Sequence, residues 1–161
     1  MYITDYAYDR AEVLAMETAI LTQLKYHVSV PTGYHFLARY LTAIHASERT
    51  RHLAAYYAER NLQEADMLLV RPHKFAAAAL YAALKQQNTD FPELLRAPIW
   101  TSSLQEDSGL SEKDLKECAR TIVKHVGEQP KTASKRRLIA AKKKYSSDKY
   151  NAISNLSLPT V

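Results

Sequence analysis

The stretch Pro72-His-Lys-Phe-Ala-Ala-Ala-Ala-Leu-Tyr-Ala-Ala-Leu84 constrains the fold more than any other part of the chain. Pro72 suits a first helical turn, where its missing N–H removes nothing. The alanines and leucines that follow carry a helix at high propensity. From Phe75 to Leu84 there is no charge. An α-helix without a polar face is buried on all sides, and ten residues are too few to cross a bilayer. The pattern therefore predicts a central helix whose Phe75, Ala76, Ala77, Ala79 and Leu80 lie in the core, with Ala76 to Ala79 letting amphipathic neighbours approach closely.

The neighbours follow from periodicity. A helix is predicted from about Asp9 to Lys25, with Val13, Ile20, Leu21 and Leu24 on one stripe and Leu14 and Met16 beside it. Glu17 falls inside that stripe. A buried carboxylate there needs a hydrogen-bonding or charged partner, and by itself the position reads as a solvated or internally paired rim. Tyr26-His-Val-Ser-Val30 precedes Pro31 and reads as an extended linker. Thr32 can cap a second helix to about Ile44, with Leu37, Tyr40, Leu41 and Ile44 inward. A third helix ends near Leu62 with Leu53, Ala54 and Tyr57 inward. Glu64 to Val70 is a short apolar segment of one or two turns.

After the central helix, Asn88 to Pro98 reads as a loop, and Ile99 and Trp100 dock it through a short helix that Gly109 ends. Ser111-Glu-Lys-Asp114 resembles a capping box. It opens a helix with Leu115, Cys118, Ala119, Ile122 and Val126 on one face, closed by Gly127 and Pro130. A last helix, about Thr132 to Lys144, is expected to bury Leu138, Ile139 and Ala141, leaving Tyr145 to Val161 irregular. Helical periodicity in nearly every segment, with no convincing strand, makes the chain all-α.

Few reactive arrangements are available. The three glycines, at 33, 109 and 127, form no phosphate loop. There is no His-Glu-x-x-His and no Cys-x-x-Cys. The six histidines show no metal-ligand spacing, His35 and His45 reading as ordinary helix residues. Cys118 is the sole cysteine; it excludes an internal disulfide and reads as a buried structural thiol. No catalytic residue, metal or cofactor is expected, and a binding or regulatory protein is the reading. The net charge is +5, concentrated late in Lys131, Lys135-Arg136-Arg137 and Lys142-Lys143-Lys144. That cluster could bind nucleic acid, but no aromatic residues are interleaved for base stacking, so a solvated helix face is the preferred reading.

Several motifs in register resemble the A/B-type mitotic cyclins. They are Tyr2-Ile-Thr-Asp5, Glu12-Val-Leu-Ala-Met-Glu17, Ile20-Leu21, Pro31-Thr32 and Phe36-Leu37. The match continues through Ala54-x-Tyr56, the Pro72-x-x-x-Ala76 helix, Trp100, Leu115, Lys144-Tyr145, Tyr150 and Ser154. Their order and spacing cover nearly the whole chain. Departures are His73, where the family usually has serine, Tyr26 in place of a common Phe, and a longer Asn88–Ile99 loop.

The resemblance implies a cyclin-like helical bundle. Residues 1–28 would be the last helix of an incomplete N-terminal fold, 31–144 the C-terminal cyclin fold, and 145–161 a tail. Four helices of the first fold have no counterpart here, so a fragment or truncated form is expected. The resemblance further implies a regulatory subunit in nucleus and cytoplasm that binds a cyclin-dependent protein kinase; no membrane, nucleic-acid or small-molecule partner is expected. Glu17, Leu21, Tyr26 and Val28 would form the kinase contact, and this role displaces the rim reading of Glu17. The competing reading is a cyclin-fold transcription factor that uses its basic segment on DNA.

Overall fold

In the computed structural model, residues 2–90, 98–128 and 139–157 are described. They form helices α1 (Arg10–Gln23), α2 (Gly33–Ala43), α3 (Glu48–Asn61), α4 (Pro72–Asp90), α5 (Ser102–Ser108), α6 (Glu112–Gly127) and α7 (Ala140–Tyr145). Short 3-10 turns lie at Tyr2–Thr4, Ala65–Leu69, Asp148–Tyr150 and Ile153–Asn155, and no strand occurs among the described residues. The chain divides into two compact units, Met1–Pro31 and Thr32–Val161.

In the second unit α4 is the axis. It packs against α2, α3, α5 and α6. Ala76 to Ala83 are at most 1% exposed, and Phe75 and Leu84 are buried as well. Uniform burial explains why the segment tolerates no charge. Small side chains also set how near the neighbours come: a Cβ at Gly33 would meet Phe75 Cδ1 at 3.1 Å, so glycine lets the start of α2 reach α4. Leu37, Tyr40 and Leu41 of α2 pack inward, as do Leu53, Ala54 and Tyr57 of α3 and Leu115, Cys118, Ala119 and Ile122 of α6.

Polar groups that the packing buries find partners. Tyr81 Oη donates to Glu112 Oε1 at 2.8 Å, and Trp100 Nε1 donates to the Leu110 carbonyl at 2.8 Å while its ring meets Tyr81 edge-on. Gln86, fully enclosed, accepts from Tyr57 Oη and donates to Asp90 Oδ1. Asn61 Nδ2 donates to the carbonyls of Tyr57 and Ile122, and its Oδ1 lies 2.9 Å from His125 Nδ1. These bonds tie α3 to α6 across the bundle.

Helix ends follow local chemistry. Ser111 N–H donates to Asp114 Oδ2 at 2.9 Å, closing the capping box with aspartate in the usual glutamate position. His35 belongs to the cap of α2: Thr32 N–H donates to its Nδ1 at 3.2 Å. Gly109 ends α5 with φ 68°, a conformation that suits glycine.

Four expectations need correction. Asn88 to Asp90 continue α4 rather than opening a loop; Asp90 accepts from Arg49 and Gln86, which holds the extra turn. Tyr26 is not extended: Lys25 and Tyr26 both have positive φ and turn the chain sharply after α1. Ile139 is half-exposed just before the start of α7; Ala141 is buried, and Leu138 with the first part of the expected last helix lies outside the described residues. Finally, the described part of the tail, Tyr145 to Ser157, is built rather than irregular. Tyr145 and Ile153 are buried, Tyr145 meets the rings of Tyr56 and Tyr150 at tilted angles, and its hydroxyl donates to Glu59 Oε1 at 2.7 Å.

Candidate functional site

The first unit consists of a 3-10 turn, α1 and the strand-less segment to Pro31. Asp9 caps α1 reciprocally with Glu12: Glu12 N–H donates to Asp9 Oδ1 at 2.9 Å and Asp9 N–H to Glu12 Oε2 at 2.8 Å. The helix is therefore well started, but none of its residues is buried. Val13, Leu14, Met16, Ile20 and Leu24 are 45–61% exposed. Such a helix exposes apolar side chains over a wide arc, with Ala11, Ala15 and Ala19 behind them.

Glu17 is exposed in the middle of this surface, one turn before the half-buried Leu21. The turn after α1 links the other candidates. Tyr26 N–H donates to the Leu21 carbonyl at 2.8 Å, and Val28 N–H to the Tyr26 carbonyl at 2.9 Å. These two bonds satisfy a helix-terminal carbonyl and hold Leu21, Tyr26 and Val28 in one short stretch. Tyr26 sits at φ 59°, a costly setting for a bulky side chain. Tyr26 and Val28 are more than 60% exposed. Glu17, Leu21, Tyr26 and Val28 thus offer one carboxylate among apolar groups, an arrangement able to bind but with no nucleophile or acid–base pair to react.

Other candidate chemistry is absorbed by the fold. Burial pushes the Cys118 thiol up from its ordinary range, away from the reactive thiolate. No group of three metal-ligating side chains occurs among the described residues, and no helix there is long and apolar enough to cross a membrane. Of the basic cluster, Lys131 and Lys135-Arg136-Arg137 lie outside the described residues. Lys144 pairs with Glu59 at 2.6 Å and lies over the rings of Tyr145 and Tyr150.

Sequence reasoning passed over the 3-10 turn Ala65–Leu69, which it read only as a short apolar segment. Leu68 and Leu69 are at least 80% exposed. Adjacent leucines on a single short turn cannot both point inward, and that was the available signal.

The family described as "Cyclin, C-terminal domain" matches residues 31–159. The chain belongs to the cyclin family. The match coincides with the second unit and with the helical bundle around α4. This cyclin is 36% identical over 153 residues to Cyclin-B1-1 of Arabidopsis thaliana, covering 94% of the chain and 34% of the relative. It is 34% identical over 154 residues to Cyclin-B1-5 of Oryza sativa subsp. japonica, covering 96% and 32%. With G2/mitotic-specific cyclin-1 of Antirrhinum majus it shares 32% identity over 155 residues, covering 96% and 30%. The resemblance to mitotic, B-type members thus holds along nearly the whole chain, which spans about a third of the length of these relatives.

Proposed function

We propose that this cyclin chain supplies part of the surface by which a regulatory subunit, itself without catalytic chemistry, binds and activates a cyclin-dependent Ser/Thr kinase, in nucleus and cytoplasm. The observation that supports this most is α1: a capped, 14-residue helix with an exposed apolar arc and Glu17 within it. The upstream helices that the resemblance implies would cover part of that arc, and a partner would cover the rest and satisfy the carboxylate. On the family resemblance, the glutamate of the Met16-Glu17 pair would face the N-terminal end of the kinase's helix C. A helix N-terminus has unpaired N–H groups and the positive end of its dipole, which favour a carboxylate. Leu21, Tyr26 and Val28 would pack beside it. Holding helix C in place allows the kinase's Lys–Glu pair to form. Activation is then a population shift, driven by tighter binding to the active arrangement.

One helix and its following turn make a small interface, and small interfaces are weak or transient. The 161-residue chain is therefore expected to bind and activate a cyclin-dependent kinase poorly. A chimaera joining the upstream part of Arabidopsis Cyclin-B1-1 to residues 1–161 is expected to do both. In that chimaera Glu17→Ala should weaken kinase binding by about 1–3 kcal/mol, the cost of leaving buried N–H donors unpaired. A titration of kinase activity against each protein decides the matter. Indifference of the chimaera to both Glu17→Ala and Leu21→Ala would put the interface elsewhere.

A further inference from the structure

The second unit carries an open groove of about 740 Å³ between α2, α3, the 3-10 turn Ala65–Leu69 and the start of α4. Leu37, Leu41 and Phe75, all buried, form its floor, and Ala38, Ala55 and Ala58 line its walls. Leu62 and Leu68 stand at its lip, 70% and 80% exposed. Its size is that of a binding site rather than a packing defect, and large exposed leucines beside an apolar trough mark an interaction surface.

The charges around it are unequal. Glu59 and Glu64 line the groove, but Glu59 is taken by Lys144 and Tyr145 and Glu64 by Arg60. Arg51 differs. Its Nε donates to the Ala46 carbonyl at 3.0 Å and a terminal nitrogen to the Leu41 carbonyl at 3.4 Å. The guanidinium is thus fixed at the C-terminal end of α2 on main-chain oxygens, and no carboxylate among the described residues pairs with it. The groove therefore offers an apolar trough with one positioned, exposed cation.

We propose that this groove docks an amphipathic helix of a partner protein, one presenting large apolar side chains at helical spacing and an acidic residue toward Arg51. Alanine walls on two helices let a third helix approach closely, as in helix-in-groove recognition. The carboxylate would meet Arg51 in a charge-assisted pair that fixes register and direction. This surface is built from residues 32–75, all in the second unit, and includes neither Glu17 nor any residue of α1.

The test is selection of helix-biased peptides from a phage-displayed library on the full 161-residue chain, followed by fluorescence polarisation with the enriched peptides. Expected are sequences with apolar residues at i, i+3 or i+4 and an acidic residue near one end. Ala58→Arg, which fills the trough from a partly exposed position, should weaken their binding at least about tenfold. Leu68→Glu, on the exposed lip, should weaken it too without touching the core, and Arg51→Ala should remove its salt dependence. The proposal is overturned if no peptide is enriched, or if enriched peptides bind the Ala58→Arg and Leu68→Glu proteins as well as the parent. It is overturned equally if sedimentation velocity shows a dimer that Leu68→Glu dissociates, because the occupant is then a second copy of the chain.

Discussion

Ala77 carries one methyl group, and none of it reaches solvent. Ala77→Asp would place a carboxylate inside the hydrophobic core cluster, at roughly 3–5 kcal/mol for an uncompensated buried charge. The variant should fail to give a cooperative helical melt by circular dichroism, and a melt like the parent's would remove α4 from the centre of the bundle. Gly109 offers the opposite case. Nothing lies within 4 Å of a Cβ placed there, but φ is 68°. Gly109→Ala should therefore cost only the left-handed backbone term, about 1 kcal/mol, with asparagine tolerated better than alanine. Urea denaturation of the two variants separates that term from any packing effect.

Elements were legible in the sequence where periodicity and punctuation agreed. The α4 axis, the Ser111 capping box, the Gly109 stop and the inward faces of α2, α3 and α6 all rest on local signals. The tail was not legible, because its anchor is remote: the Tyr145 hydroxyl finds Glu59 at a separation of 86 residues, and no local pattern encodes that pairing. The extra turn of α4 was missed for the same reason, Asp90 being held by Arg49. At the candidate site, the Glu17 stripe was visible as a carboxylate among apolar positions, whereas the left-handed turn at Lys25 and Tyr26 had no glycine to announce it. The docked tail can be tested directly. Ile153, 1% exposed, should cost about 2–5 kcal/mol when cut to alanine. Tyr145→Phe should cost about 1 kcal/mol for the lost hydrogen bond. If both variants unfold in urea like the parent, the tail contributes nothing to the bundle.

For the molecule as a whole, the ionisable groups define a pH window. Hydrogen bonds from Arg39 to Asp107, from Tyr81 and Lys116 to Glu112, and from Ser111 to Asp114 hold these carboxyls below their ordinary range. A depressed folded-state value favours folding while the carboxylate is ionised. That contribution is complete above the unfolded range near ~4 and is lost as pH falls through the lower folded values. Tyr57, Tyr81 and Tyr145 work in the other direction. Burial raises their phenols, helped by Glu112 at Tyr81 and Glu59 at Tyr145. Stability from these groups is intact below about 10 and declines as pH rises beyond it, where the unfolded chain ionises first. A melting temperature followed across pH should form a plateau that falls on both sides. No alkaline fall would mean that the three phenols are not enclosed as described.

Synthesis of a chain is vectorial, and the Tyr145–Glu59 bond gives that direction a cost. Helix α3 leaves the ribosome early, yet on one face of it Tyr56 meets the ring of Tyr145, and Glu59 accepts from Lys144 and from the Tyr145 hydroxyl, residues made much later. Domains fold progressively from the N-terminal side as they are made, so α2, α3, α4 and α6 can assemble while that face stays bare. During this interval the nascent bundle exposes an aromatic, acid-bearing strip that the finished one hides. The stretch around Tyr145, translated after all four of those helices, acts as a latch, and the time before it closes is when the growing chain is most open to capture by other proteins.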